Sequence, residues 1–201
     1  MKKLPFALIL LGLWSGCTTA RLPKSPDIYS LKSSSSNITI VIEKVSDERG
    51  TTKAGTIGAA GILVKDEIIE FTTNHLVSTL NSHMNVNIVM TGSVSPSQVN
   101  EIVHSRNANG LVAAKIKSLK IHSIDAIMQP VEVDMDLNVV VYNRQGEQIM
   151  EKTFIGHYEK RMGIVAMVDK ATGELVDSVV KETMYSLVKD PEFKKAINQL
   201  A

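Results

Sequence analysis

Between Val131 and Tyr142 the side chains alternate with a period of two. Val131, Val133, Met135, Leu137, Val139 and Val141 fall on one parity, and Glu132, Asp134, Asp136 and Asn138 on the other. Only an extended strand sends successive side chains to opposite sides, so the stretch predicts a strand with one buried and one solvated face. Asn143-Arg144-Gln145-Gly146 supplies turn residues, and Glu147 to Tyr158 reads as the return strand of a hairpin. Upstream, Leu111 to His122 is a third strand whose phase slips around Ser118, as at a bulge. Such a meander demands an antiparallel or mixed sheet, and its polar face leaves helices only the other face to cover.

The other elements fit around this meander. Ile38 to Val45 is β-branched and apolar until Glu43, the pattern of a strand at a sheet centre. A helix is expected from Asp66 to Met84, with Ile69, Thr73, Leu76, Leu80 and Met84 along one stripe. Val86 to Met90 is a short strand. Ser95, Pro96 and Gln98 form a helix start of the capping-box type, and that helix ends near Asn107 to Gly110. A third helix is expected from Thr172 to Val188, with Leu175, Val179, Val180, Thr183 and Leu187 inward. Asp190-Pro191-Glu192 caps a last short helix ending near Leu200. The expected fold is α+β: a small antiparallel or mixed sheet with helices packed on one face, forming a single domain over residues 38–201.

The N-terminus reads as an address. Lys2 and Lys3 precede an apolar run from Leu4 to Trp14, and Ser15-Gly16 places small residues directly before Cys17. That run is about half the ~20 residues a membrane-spanning helix needs, so it suits an export signal and not an anchor. Small residues followed by cysteine resemble the bacterial lipobox, in which the thiol takes diacylglycerol before cleavage between Gly16 and Cys17. The resemblance implies a signal peptide over 1–16 and a lipidated Cys17. Trp14 stands three residues before the cysteine, where the pattern has leucine. Thr18 follows the cysteine; the absence of aspartate there implies the outer membrane, with the domain facing the periplasm. Residues 17–37, with two prolines and a run of four serines, read as a flexible tether.

Composition narrows the function classes. Loss of residues 1–16 removes Lys2 and Lys3 from the 22 basic residues and leaves 20 against 21 acidic ones, so nothing draws the chain to nucleic acid. Glu132, Asp134 and Asp136 line up on one side of a strand, where side chains diverge instead of converging on an ion; Lys115 and Lys117 on the neighbouring strand are the expected partners. The five histidines include no i, i+4 pair of the zinc-helix type, and no G-x-S-x-G elbow occurs. No catalytic residue, metal or cofactor is expected. The segment from Gly50 to Gly61 follows a strand and precedes a helix but matches no phosphate-loop string. It is expected to be a mobile surface loop, with Gly55, Ile57, Gly58 and Gly61 available to a partner.

Cys17 in its lipobox, the strand running into Ser46-Asp47-Glu48-Arg49, the long helix from Asp66 and the stretch from Leu175 to Ala201 together resemble the YajG-like family of small bacterial lipoproteins. The layout is also similar to auxiliary lipoproteins of ABC-type lipid transport systems. The first resemblance implies an outer-membrane location and no assigned reaction. Two functional expectations result. One is a non-enzymatic envelope lipoprotein held by membrane lipid through Cys17, whose domain serves a protein partner as adaptor or stabiliser. The other is an accessory subunit of a lipid or small-molecule transport system that binds an apolar ligand.

Overall fold

The computed structural model describes residues 17–28, 36–57, 60–123, 130–161 and 168–201. Its strands are β1 (Cys17–Thr19), β2 (Thr39–Glu43), β3 (Ser46–Asp47), β4 (Lys53–Ile57), β5 (Ala60–Leu63), β6 (Asn87–Thr91), β7 (Gly110–Ser123), β8 (Val131–Asn143) and β9 (Gln148–Lys160). Its helices are α1 (Glu67–His83), α2 (Val99–Ser105, entered through a 3-10 turn at Pro96–Gln98), α3 (Val168–Lys189) and α4 (Pro191–Asn198).

β7 is the hub of one mixed sheet. Along one side it meets β2, then β3, then β4, all parallel. Along the other side it pairs antiparallel with β8, which pairs antiparallel with β9. β6 extends the sheet beyond β2, and β5 followed by β1 extends it beyond β4. The expected meander is present, and its bulge falls between Ile116 and Ser118.

Val131, Val133, Met135, Leu137, Val139 and Val141 have no exposed surface and join the core beneath α1, α3 and α4. In α3 the five residues expected inward, Leu175, Val179, Val180, Thr183 and Leu187, are all buried. In α1 the buried surface is broader than the expected stripe, taking in Ile68, Phe71, Thr72 and His75, while Ile69 and Met84 are only half-buried. The short α2 stands apart from the other helices. Its Val99 and Val103 pack with Val41, Leu111 and Ala113 in a second cluster on the opposite side of the sheet. Val41 is buried there while Ile40 and Ile42 are buried in the main core, which explains why this strand carries no polar face. Just past the end of α2, Asn107 takes the left-handed conformation at φ 48°, and Gly110 opens β7. The Asp190 carboxylate accepts the Phe193 N–H at 2.9 Å, capping α4 as its sequence predicts.

Two expectations are corrected. The segment from Gly50 to Gly61 is not a free loop: it holds β4 and most of a β4–β5 hairpin docked on β7. Propensity missed it because its strands are glycine-rich and draw their order from neighbours distant in sequence. The first part of the expected tether, residues 17–28, likewise lies on the domain. Cys17, Thr18 and Thr19 pair with Gly61, Ile62 and Leu63, and Ala20 is buried.

Candidate functional site

Two places carry the residues singled out by the sequence. The first is the sheet edge at Cys17. β1 continues the hairpin in parallel with β5, the Ala20 N–H donates to the Leu63 carbonyl at 2.8 Å, and the Arg21 N–H donates to the Asp169 carbonyl at 3.0 Å. Cys17 itself is exposed, so its sulfur is free for modification while its backbone is held. A Cβ on Gly61 would stand 3.1 Å from the Cys17 Sγ, so a larger residue would crowd the thiol. Gly55 lies against β7 at φ 153°, where a Cβ would meet the Ile121 carbonyl oxygen at 1.7 Å; only glycine fits. Ile57 is 7% exposed and belongs to the main core. It is therefore a hydrophobic anchor of the hairpin and not an exposed contact, the opposite of the expectation. Gly16 and Gly58 lie outside the described residues.

The second place is the open face of the meander. Register sets His122 beside Glu132 and His157 beside Asp134, and the ring nitrogens lie 2.7 Å from the carboxylates in both pairs. The hydrogen bond to Asp134 raises the His157 pKa. Glu132 and Asp134 of the carboxylate column are thus paired by histidines, where Lys115 and Lys117 were expected. Both lysines turn instead to Glu48, just beyond β3, at 2.9 Å for Lys115 and in close contact for Lys117. The two ammonium groups hold the Glu48 carboxyl below its usual range, Lys117 contributing most. Sequence reasoning missed these partnerships because they depend on which strand lies beside β7 and in what register. Counting back from the Asn143–Gly146 turn would set Gly156 opposite Asp134; a register shift between Val141 and Tyr142 moves the pairing by one residue and brings His157 there instead.

Beside these pairs a groove of about 390 Å³ runs between the start of α2 and the meander, with Ala113 and Val140 on its floor and Glu48, Lys115, Tyr142 and Glu151 around it. Its two lysines, Lys115 and Lys117, share the single carboxylate of Glu48, and burial raises the Tyr142 pKa. Such a groove suits a polar surface or ligand and holds no activated nucleophile. Nearby, Arg49 makes a double hydrogen bond to Asp47 (2.8 and 2.6 Å) and a third to the Val64 carbonyl at 3.1 Å. This buried fork ties the Ser46–Arg49 segment to the entrance of α1. Its guanidinium holds the Asp47 carboxyl below the usual range.

Among the described residues no group of three or more His, Cys, Asp or Glu side chains is placed to hold a metal ion, and no helix is long and apolar enough to cross a membrane. No family model and no curated protein matches the chain. Among solved structures it is similar to protein XCC0632 of Xanthomonas campestris, of family DUF330, at 9% identity over 84% of this chain and 92% of that one, with a TM-score of 0.47. It is also similar to a PelC variant dodecamer from Paraburkholderia phytofirmans (9% identity, 78% and 93% covered, TM-score 0.49) and to a minor lipoprotein from Acinetobacter baumannii (9%, 78% and 94%, 0.45).

Proposed function

We propose that the chain is a non-enzymatic cell-envelope lipoprotein of the YajG-like kind, anchored through acylated Cys17 in the outer membrane and presenting its folded domain to the periplasm as an adaptor for a protein partner. The observation that carries the reading is the placement of Cys17. The only cysteine of the chain follows an export-type apolar run, and its side chain is exposed at the first strand of the fold. An acyl chain contributes about 0.8 kcal/mol per buried methylene, so several chains on one residue hold a domain at a membrane permanently.

The adaptor role draws on the open face. There the polar groove lies on the same side of the sheet as Ile155, which is 65% exposed among charged neighbours. The alternative of an apolar-ligand carrier is less well supported, because side chains of one continuous core fill the interface of sheet and helices. Metabolic labelling with a palmitate analogue tests the anchor. Wild-type protein should take up label and Cys17→Ala should take up none; a labelled alanine variant would overturn the reading.

A further inference from the structure

We infer that residues 17–28 are a clasp and not a tether, so that the folded domain rides directly on the phospholipid leaflet that holds its acyl chains. The inference rests on the lipoprotein reading above. It adds a distance between domain and membrane, which acylation alone does not supply.

A tether over the 21 residues from Cys17 to Asn37 would leave the domain free to range. Such a linker averages about 25 Å end to end and reaches about 70 Å when extended. The fold removes that slack at its source, because the residue that carries the lipid is itself the first paired residue of β1. The residues that follow are fixed in turn. Ala20 is buried, and its N–H donates to the Leu63 carbonyl at 2.8 Å. The Arg21 N–H donates to the Asp169 carbonyl at 3.0 Å, which joins the chain to the start of α3. The Arg21 carbonyl lies so close to α3 that a Cβ on Gly173 would stand 1.8 Å from its oxygen. Leu22 and Ile28 pack against the main core, and the Asn74 Nδ2 donates to the Ser25 Oγ at 2.9 Å. Pro23 and Pro26 limit the conformational freedom this stretch would gain by leaving.

Slack can enter only between the anchor and the first fixed residue, and here the two are the same residue. Residues 29–35 come later in the chain, so their length adds nothing to the reach. The polar layer of a leaflet is about 5–8 Å thick, so acyl chains leaving the Cys17 sulfur bring the Cys17 backbone down to the headgroups. Its neighbours on the sheet come with it, whatever attitude the domain takes. Exposed Lys53 lies opposite Leu63, and Leu63 lies opposite Thr19. Two strand spacings and an offset of two residues put Lys53 about 12 Å from Cys17. A partner of the adaptor is therefore met at the membrane surface, within the length of the domain itself.

The test uses the full-length protein, exported and acylated in cells and reconstituted in nanodiscs of phosphatidylethanolamine and phosphatidylglycerol with nitroxide-labelled headgroups. Acylation consumes the one native thiol, so Lys53→Cys gives a unique site for a fluorophore. The comparison protein carries the same label and a Gly/Ser linker of about 20 residues inserted after Thr18, which restores the slack. The expected result is quenching several-fold stronger without the linker than with it. Gly173→Ala, which drives a Cβ into the Arg21 carbonyl, should lower the quenching towards that of the inserted protein. Equal quenching with and without the linker overturns the inference and leaves the lipoprotein reading intact, as does full quenching in Gly173→Ala. Intact mass showing an unmodified Cys17 would overturn both.

Discussion

The same chemical pair, an imidazole beside a carboxylate, occurs on both sides of the sheet and behaves in opposite ways. In the helix layer of the covered side His75 lies 3.4 Å from Asp177, stacked near Phe71 and 6% exposed. There burial dominates and lowers its pKa, although Asp177 pulls the other way. On the open face His157 sits 2.7 Å from Asp134 with just over half its side chain exposed, and the hydrogen bond to Asp134 raises its pKa. What differs is desolvation: a partner outweighs it where water remains and does not where water is excluded. The two sides are therefore distinct electrostatic media, and substitutions should reveal them as such.

The largest effect should come from neighbouring residues of β8. Leu137→Ala removes a fully buried side chain and should cost about 2–5 kcal/mol, whereas Asp136→Ala on the open face should cost no more than about 0.5 kcal/mol. Urea melts of both variants measure the contrast, and equal costs would erase it. A smaller effect is expected at the closest approach of sheet and helix. A Cβ on Gly156 would stand 2.1 Å from the Thr183 Oγ1 and 2.8 Å from the Val179 carbonyl oxygen, so Gly156→Ala must push α3 off β9. Overpacking of this kind should cost about 1–3 kcal/mol by the same melts, and an unchanged midpoint would show that the contact is loose.

The smallest effect is in pH. Above the ordinary imidazole value of 6.5 the neutral His75 carries no penalty. As pH falls below it, the unfolded chain takes up a proton that the folded chain resists, so stability should fall until folded His75 titrates. His157 runs the other way: its contribution is present below 6.5 and is lost as pH rises through its raised folded pKa, and solvent screening keeps it small. Melts between about pH 7.5 and about pH 5 should therefore show His75→Gln flattening the acid-side loss and His157→Gln weakening only the rise in stability on acidification. The same slope in His75→Gln and wild type would mean that the buried pair does not govern this range.

The sequence by itself determined the elements whose pattern is local. β8 was legible because its alternation is set by one strand's own geometry, α3 because its inward residues recur at helical spacing, and α4 because Asp190 caps it from the next residue over. The one-sided polar character of the meander was legible for the same reason, as was the singular place of Cys17. Tertiary structure decided everything that depends on a neighbour far along the chain. β4 and β5 have no strong strand composition and are ordered by β7, which turned Ile57 from a candidate contact into a core residue. Glu48 claimed the two lysines expected to serve the carboxylate column, and histidines took their place. β1, too short at three residues to announce itself, joined the edge of β5 and brought the cysteine into register with four further strands. Periodicity records which way a side chain faces, but pairing between distant strands is a collective choice of register, and no single segment encodes it.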